Sequence, residues 1–134
     1  MIRLLLVDDQ QLLRQGISSL LALSGEVELV AEAADGEQAL SWLTAHPEAA
    51  DVVLLDIRMP RMDGIQTLTA MAEQGINIPA IILTTFDDHE LLIQALKAGA
   101  KGYLLKDVSL EVLVAGIQAV HRGGTLIQPA ITST

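Results

Sequence analysis

Five times along the chain a short run rich in apolar residues gives way to a longer amphipathic segment. The short runs fall at residues 2–7, 27–33, 52–55, 80–83 and 102–105, lengths that suit strands and not helices. The segments between them carry apolar residues at helical spacing. In the first, Leu13, Ile17, Leu20 and Leu21 stand at i, i+4, i+7 and i+8 and predict one buried helix face. The second opens at Asp35-Gly36-Glu37-Gln38, where Asp35 can cap free N–H groups and Gln38 can reach back, as in a capping box. The third carries Ile65, Leu68, Met71 and Ala72 and stops at Gly75, a left-handed cap. The fourth runs from about residue 88 to 98 and stops at Gly99. The fifth starts at Ser109, carries Leu110, Leu113, Val114 and Ile117 on one face, and ends near Gly123-Gly124.

Strand followed by helix, five times over, predicts a parallel sheet covered by helices on both faces, because parallel strands need crossovers. With right-handed crossovers and 134 residues, the expected strand order is 2-1-3-4-5 in one domain. Half the residues are hydrophobic, yet Trp42, Phe86 and Tyr103 are the only aromatics. The core must therefore consist mainly of Leu, Ile, Val and Ala. No cysteine is present, which excludes disulfides and thiolate metal sites. The opening apolar run is too short for a signal peptide and no run is long enough for a membrane span, so a cytoplasmic protein without membrane contact is expected. A net charge of −9, with eight scattered basic residues, argues against this chain gripping nucleic acid by itself. Residues 122–134, rich in Gly, Thr and Ser, read as a linker-like tail after a domain of residues 1–121.

In sheets of this kind, sites form at the carboxyl ends of the strands. The first strand ends in Asp8-Asp9, the third in Asp56, the fourth in Thr84-Thr85 and the fifth in Lys106. Taken singly these are ordinary caps, strand-end hydroxyls and a surface lysine. Together they put acids, a hydroxyl and an ammonium along one edge. Two carboxylates about 4 Å apart repel by roughly 4 kcal/mol at an effective dielectric near 20. A divalent cation removes that penalty, and hard oxygen donors suit Mg2+, which favours phosphate as its outer ligand. Lys106 then supplies a charge and Thr84 a hydrogen bond for phosphoryl oxygens, and central Asp56 becomes the nucleophile. In "VVLLDIRMPRMDG", the buried strand would hold Asp56 at the edge while Met59-Pro60 and Asp63-Gly64 turn the chain sharply.

The stretches "LLLVDDQQLLRQGI", "VVLLDIRMPRMDGIQTL", "IILTTFDD" and "ALKAGAKGYLLKD" resemble the receiver domain of bacterial two-component response regulators. The resemblance covers residues 2 to about 121. It implies a flavodoxin-like, CheY-like three-layer α/β fold, with a five-stranded parallel sheet and five helices. It implies phosphotransfer from a sensor histidine kinase to Asp56, so that the chain modifies itself and is not a turnover enzyme. Asp9 and Asp56 would bind Mg2+ directly, as would the backbone carbonyl of Arg58, with Asp8 acting largely through water. Thr84 would be the switch hydroxyl, Lys106 a second phosphoryl contact and Tyr103 the switch aromatic. Arg58 and Phe86 flank the site and would tune water access to it. Leu91, Leu92 and His89 lie where a partner would dock, although simple core burial accounts for the leucines.

Many receivers follow the lysine with a cis proline. Here Asp107 follows Lys106, so a trans bond is expected. "GYLLKDVSLEVL" is similar to the NarL/LuxR-type subfamily, which joins the receiver to a helix-turn-helix DNA-binding domain. DNA control is expected only through such a domain, missing from this chain, and homodimerisation on phosphorylation is expected by analogy. A phosphohydrolase would need a further acid and a substrate cap, neither of which stands out. A receiver regulated without phosphate would be expected to have lost an acid, Thr84 or Lys106.

Overall fold

The computed structural model describes residues 1–85 and 89–127. Its strands are β1 (Ile2–Val7), β2 (Val27–Ala33), β3 (Val52–Leu55), β4 (Ala80–Thr84), β5 (Gly102–Leu105) and β6 (Leu126–Ile127). The helices are α1 (Gln11–Ser24), α2 (Gly36–Ala45), α3 (Gly64–Glu73), α4 (His89–Lys97) and α5 (Leu110–His121). All strands are parallel, in the order β2-β1-β3-β4-β5-β6. The expected 2-1-3-4-5 arrangement and its five helices are present. The addition is β6, formed by the start of the expected tail, which pairs Leu126 with Gly102 and Ile127 with Tyr103. The expected start of the fourth helix at residue 88 lies outside the described residues.

Period-2 alternation divides the strand residues between two cores. Leu5, Val7, Val53, Leu55, Ile82 and Tyr103 face α2, α3 and α4. Leu4, Leu6, Val52, Leu54, Ile81 and Leu104 face α1 and α5. The central strands are therefore buried on both faces and read as unbroken apolar runs. Each fully buried Leu or Ile here contributes about 1.5–3 kcal/mol.

Helix faces differ from the expectation in detail. Ile17 and Leu21 bury the face of α1, with Leu13 packed at its margin. Leu20 instead remains 47% exposed, because α1 packs chiefly against β2 and α5 and needs a narrow stripe. On α3, Ala72 is exposed and Thr67 is fully buried, since that side meets the start of α2. There, a Cβ on Gly36 would lie 2.0 Å from Thr67 Oγ1. Asp35 caps α2 by accepting from Gln38 N at 2.9 Å. The Gln38 side chain reaches one residue further back than a capping box requires, accepting from Ala34 N at 2.9 Å. A complete capping box closes α3 instead, between Asp63 and Gln66. Gly75 and Gly99 stand at φ 72° and 110° after α3 and α4, as their stop positions require.

Register positions the functional edge. Val7 pairs with Leu55, and Thr84 with Leu105. The ladder continues one step past the strands: Asp56 N donates to Val7 O at 3.0 Å, and Lys106 N to Thr84 O at 2.8 Å. Asp8 N donates to Ala33 O at 3.0 Å. Asp8, Asp56 and Lys106 thus stand on backbone that is hydrogen-bonded into the sheet.

Candidate functional site

Asp8, Asp9 and Asp56 each bring a carboxylate oxygen into a group whose atoms all lie within 4.8 Å of one another. Asp8 and Asp56 are buried and Asp9 is exposed, so the cluster opens to solvent on one side. Lys106 Nζ lies 3.0 Å from Asp8 Oδ2 and 3.1 Å from Asp56 Oδ2. The ammonium bridges two of the three acids and leaves the set with excess negative charge.

The remaining oxygens of the buried pair are held by backbone. Asp8 Oδ1 accepts from Gln10 N at 2.8 Å, and Asp56 Oδ1 from Ile57 N at 2.8 Å. Burial pushes the Asp56 carboxyl above its usual range; the Lys106 ammonium opposes this and the Asp8 charge adds to it. For Lys106, burial acts to lower the pKa, but the Asp8 and Asp56 carboxylates outweigh it and hold it above its ordinary value. The donor set is hard oxygen, anionic and open on one side, which fits a small divalent cation and its water ligands. The described residues therefore form an acidic pocket able to bind a metal.

Thr84 ends β4 fully buried, and Tyr103 on the neighbouring strand also exposes no surface. The ring of Tyr103 is buried within the core that faces α2, α3 and α4. Arg58 is exposed beside the cluster, and Phe86 lies outside the described residues. Lys106-Asp107 is trans, as no cis peptide occurs among the described residues. On α4, Leu92 is buried and Leu91 packs at the margin of the core, while His89 is exposed. Core burial accounts for both leucines. Gly64 has a different role from the one its turn suggests: a Cβ there would sit 2.4 Å from Asp56 O. It is needed for close approach to the backbone of the acid itself.

Two residues of this neighbourhood, Arg14 and Arg61, stand outside the motif pattern. Arg14 on α1 donates to the backbone carbonyl of Asp8 and pairs with Glu32 at 3.0 Å. Arg61 pairs with Asp35, and its loop meets Gly36 through the Met62 carbonyl. A basic residue six positions after Asp8 was the available hint for Arg14.

The family model of the response regulator receiver domain matches residues 4–118. The chain belongs to this family. A transcriptional regulatory protein of Bacillus subtilis, LnrK, is 38% identical over 99% of this chain and 60% of its own length. This receiver thus spans about 60% of the length of such curated relatives. The signal receiver domain of NarL from Mycobacterium tuberculosis superposes with a TM-score of 0.85 at 38% identity, over 91% of this chain and 97% of that one. A chain of the CheX-CheY-BeF3-Mg2+ complex from Borrelia burgdorferi gives 0.82 at 28% identity, over 89% and 88%. The likeness to regulators of the NarL type agrees with the "GYLLKD" stretch. No helix among the described residues of the receiver is long and apolar enough to cross a membrane.

Proposed function

We propose that Asp56 accepts a phosphoryl group from a phosphorylated histidine of a sensor kinase, in the presence of Mg2+. The observation that carries this reading is the convergence of Asp8, Asp9 and Asp56 on one pocket with the Lys106 ammonium between two of them. Asp9, Asp56 and the Arg58 carbonyl would hold the ion, with Asp8 acting largely through water. When bound, the ion neutralises charge on the phosphoryl oxygens.

An Asp56 carboxylate oxygen forms the new P–O bond while the P–N bond to the donor imidazole breaks, and the electron pair stays on that nitrogen. Lys106 then exchanges part of its contact with the carboxylates for a phosphoryl oxygen, and the Thr84 hydroxyl donates to another. The acceptor belongs to the chain itself, so each molecule is altered once per transfer and the receiver acts as a switch. A bound phosphoryl adds about −1.5 to −2 charges, enough to reweight two conformations. Tyr103, already buried without it, supports an inward state that phosphate stabilises and does not create. A neighbour solved with BeF3 and Mg2+ supports the same ligand classes.

We further assign residues 1–121 to the receiver unit and 122–134 to a connecting segment whose β6 adds to the receiver sheet. In relatives that are transcriptional regulatory proteins, the output is gene control. For this receiver DNA contact would run through an additional domain, with phosphorylation favouring a homodimer, in the cytoplasm where the kinase donates. The test is intact mass after incubation with acetyl phosphate and Mg2+, beside Asp56→Asn and a chelator control. One phosphoryl adduct that requires Mg2+ and disappears in the variant is expected. An adduct that persists in Asp56→Asn would refute the choice of acceptor.

A further inference from the structure

The loop from Ile57 to Asp63 carries the Arg58 carbonyl, and its conformation rests on an unusual residue. Arg61 stands at φ 65°, the only non-glycine among the described residues in the left-handed region. Side-chain-bearing residues hold that conformation only where their surroundings over-determine it. Here the surroundings are the start of α2. Arg61 Nε donates to Asp35 Oδ2 at 2.7 Å, and Nη2 donates to the same oxygen. Asp35 exposes no surface, whereas the Arg61 side chain that covers it is 57% exposed. The other Asp35 oxygen is held by Gln38 N, so the carboxylate is fixed before the guanidinium reaches it.

Two further ties act at the same end of the loop. Gly36 N donates to Met62 O at 3.2 Å, across a gap in which a side chain on Gly36 would strike Met62 O at 2.9 Å. Thr67 Oγ1 donates to Asp63 O at 2.7 Å. At the other end, Gly64 N donates to Ile57 O at 2.7 Å, and Asp56 holds Ile57 N. Arg58 lies between these two anchors, so the direction of its carbonyl is set by both.

We propose that the Arg61–Asp35 pair is a positioning clamp that fixes the β3–α3 loop against α2 and so aims the Arg58 carbonyl at the metal position beside Asp56. The proposal rests on the reading of that carbonyl, Asp9 and Asp56 as Mg2+ ligands. It makes Arg61 a positioning residue that touches neither metal nor phosphate. Charge and geometry predict opposite signs for its removal. Loss of one cation near an acidic pocket would tighten Mg2+ binding through simple attraction, whereas loss of the clamp weakens it. Supporting partners of metal ligands typically alter affinity by about tenfold or more when removed.

The experiment is calorimetric titration of Mg2+ into the unphosphorylated protein, for wild type, Arg61→Ala, Arg61→Lys, Arg61→Gly and Asp9→Asn. Urea midpoints measured in chelator accompany each. The clamp predicts about tenfold weaker binding for Arg61→Ala, partial retention for Arg61→Lys, and weak binding for Arg61→Gly although glycine accepts the backbone conformation freely. Mg2+ binding by a folded Arg61→Ala at or above wild-type affinity would overturn it. Wild-type affinity in Arg61→Gly alone would also overturn it, by showing that backbone conformation suffices without the ion pair. If wild type binds no Mg2+, or Asp9→Asn binds as wild type does, the metal-site reading fails first and the clamp with it.

Discussion

The two ends of the sheet handle charge in opposite ways. At the amino-terminal edge, Arg3 on β1 meets Asp51 just before β3: Nη2 lies 3.0 Å from Oδ1, and Nε and the Arg3 backbone N also donate to Oδ2. The cation is hydrogen-bonded to one anion, both of whose oxygens are satisfied, and Glu28 and Glu48 add weaker attraction. At the carboxyl-terminal edge, Lys106 stands between Asp8 and Asp56 with Asp9 nearby, so one cation faces three anions. The first arrangement is complete in itself and serves stability. The second keeps excess negative charge beside an opening to solvent, a setting that suits a cation. Charge balance thus separates the two edges of the sheet.

The hardest test of that division removes the cation at each edge. Lys106→Met should slow phosphoryl transfer from acetyl phosphate by about a hundredfold or more, the scale for losing a preorganised electrostatic contact. It should also destabilise the unliganded protein by about 2 kcal/mol at neutral pH, since it strands a buried acid pair. Added Mg2+ should restore that stability, because a bound cation would offset the same carboxylate charge that the ammonium offsets. Arg3→Met should leave the transfer rate unchanged and its stability loss insensitive to Mg2+. Stopped-flow adduct formation and urea melts with and without Mg2+ read both. A comparable Mg2+ response in the two variants would erase the distinction.

A subtler pair exchanges acid for amide. Asp51→Asn should cost about 1 kcal/mol, because it discards charge-assisted hydrogen bonds to Arg3. Asp56→Asn should raise stability by about 1 kcal/mol, because it removes a carboxylate that burial disfavours and Asp8 repels, against the opposing attraction of Lys106. Their pH profiles should separate too. Arg3 hydrogen bonding holds Asp51 below the usual carboxylate range against the opposing effect of burial. Its stability contribution is therefore present above the unfolded pKa of about 3.9 and lost as pH falls through the lower folded value. Burial holds Asp56 high, so between about pH 3.9 and its raised folded value the native state binds the extra proton. Stability due to Asp56 then declines as pH rises through that window. Urea midpoints from pH 3 to 8 should show Asp51→Asn flattening the acid limb and Asp56→Asn flattening the decline above it.

The strands and the residues at their carboxyl ends were legible because apolar runs and strand-end chemistry are local signals, whereas the strand order followed from connection rules and chain size. Asp8, Asp56, Thr84 and Lys106 each follow or end an apolar run, and register alone brings them level. What was not legible depends on contacts between distant segments. Leu20 fits the helical stripe as well as Ile17 does, but only the narrow contact of α1 with α5 decides that it stays exposed. Arg61 reads as a loop cation until the fold lays the β3–α3 loop on Asp35. The short β6 lies in a Gly- and Thr-rich stretch whose composition suits a linker, and its pairing with β5 depends on an edge no local pattern reveals. Gly64 was legible as special, but the reason, the backbone of Asp56 against its Cα, was not.

Salt should separate the two edges by the smallest margin. The Arg3 side chain is 43% exposed and Asp51 22%, whereas Lys106 and Asp56 are 11% and 8% exposed. Screening acts strongly on exposed charges and weakly on buried ones, and the Debye length falls from about 10 Å at 0.1 M to about 3 Å at 1 M. Between those concentrations of NaCl, the cost of Asp51→Asn should shrink by a few tenths of a kcal/mol. The gain from Asp56→Asn should change by less, since its repulsion from Asp8 is carried through protein more than through solvent. Paired urea melts at the two salt concentrations measure both differences. If the Asp56→Asn gain collapses as steeply as the Asp51→Asn cost, the functional edge is as well solvated as the structural one. Its acid would then be raised by long-range charge and not by burial, and the contrast between a completed pair and an unfinished site would need a different physical basis.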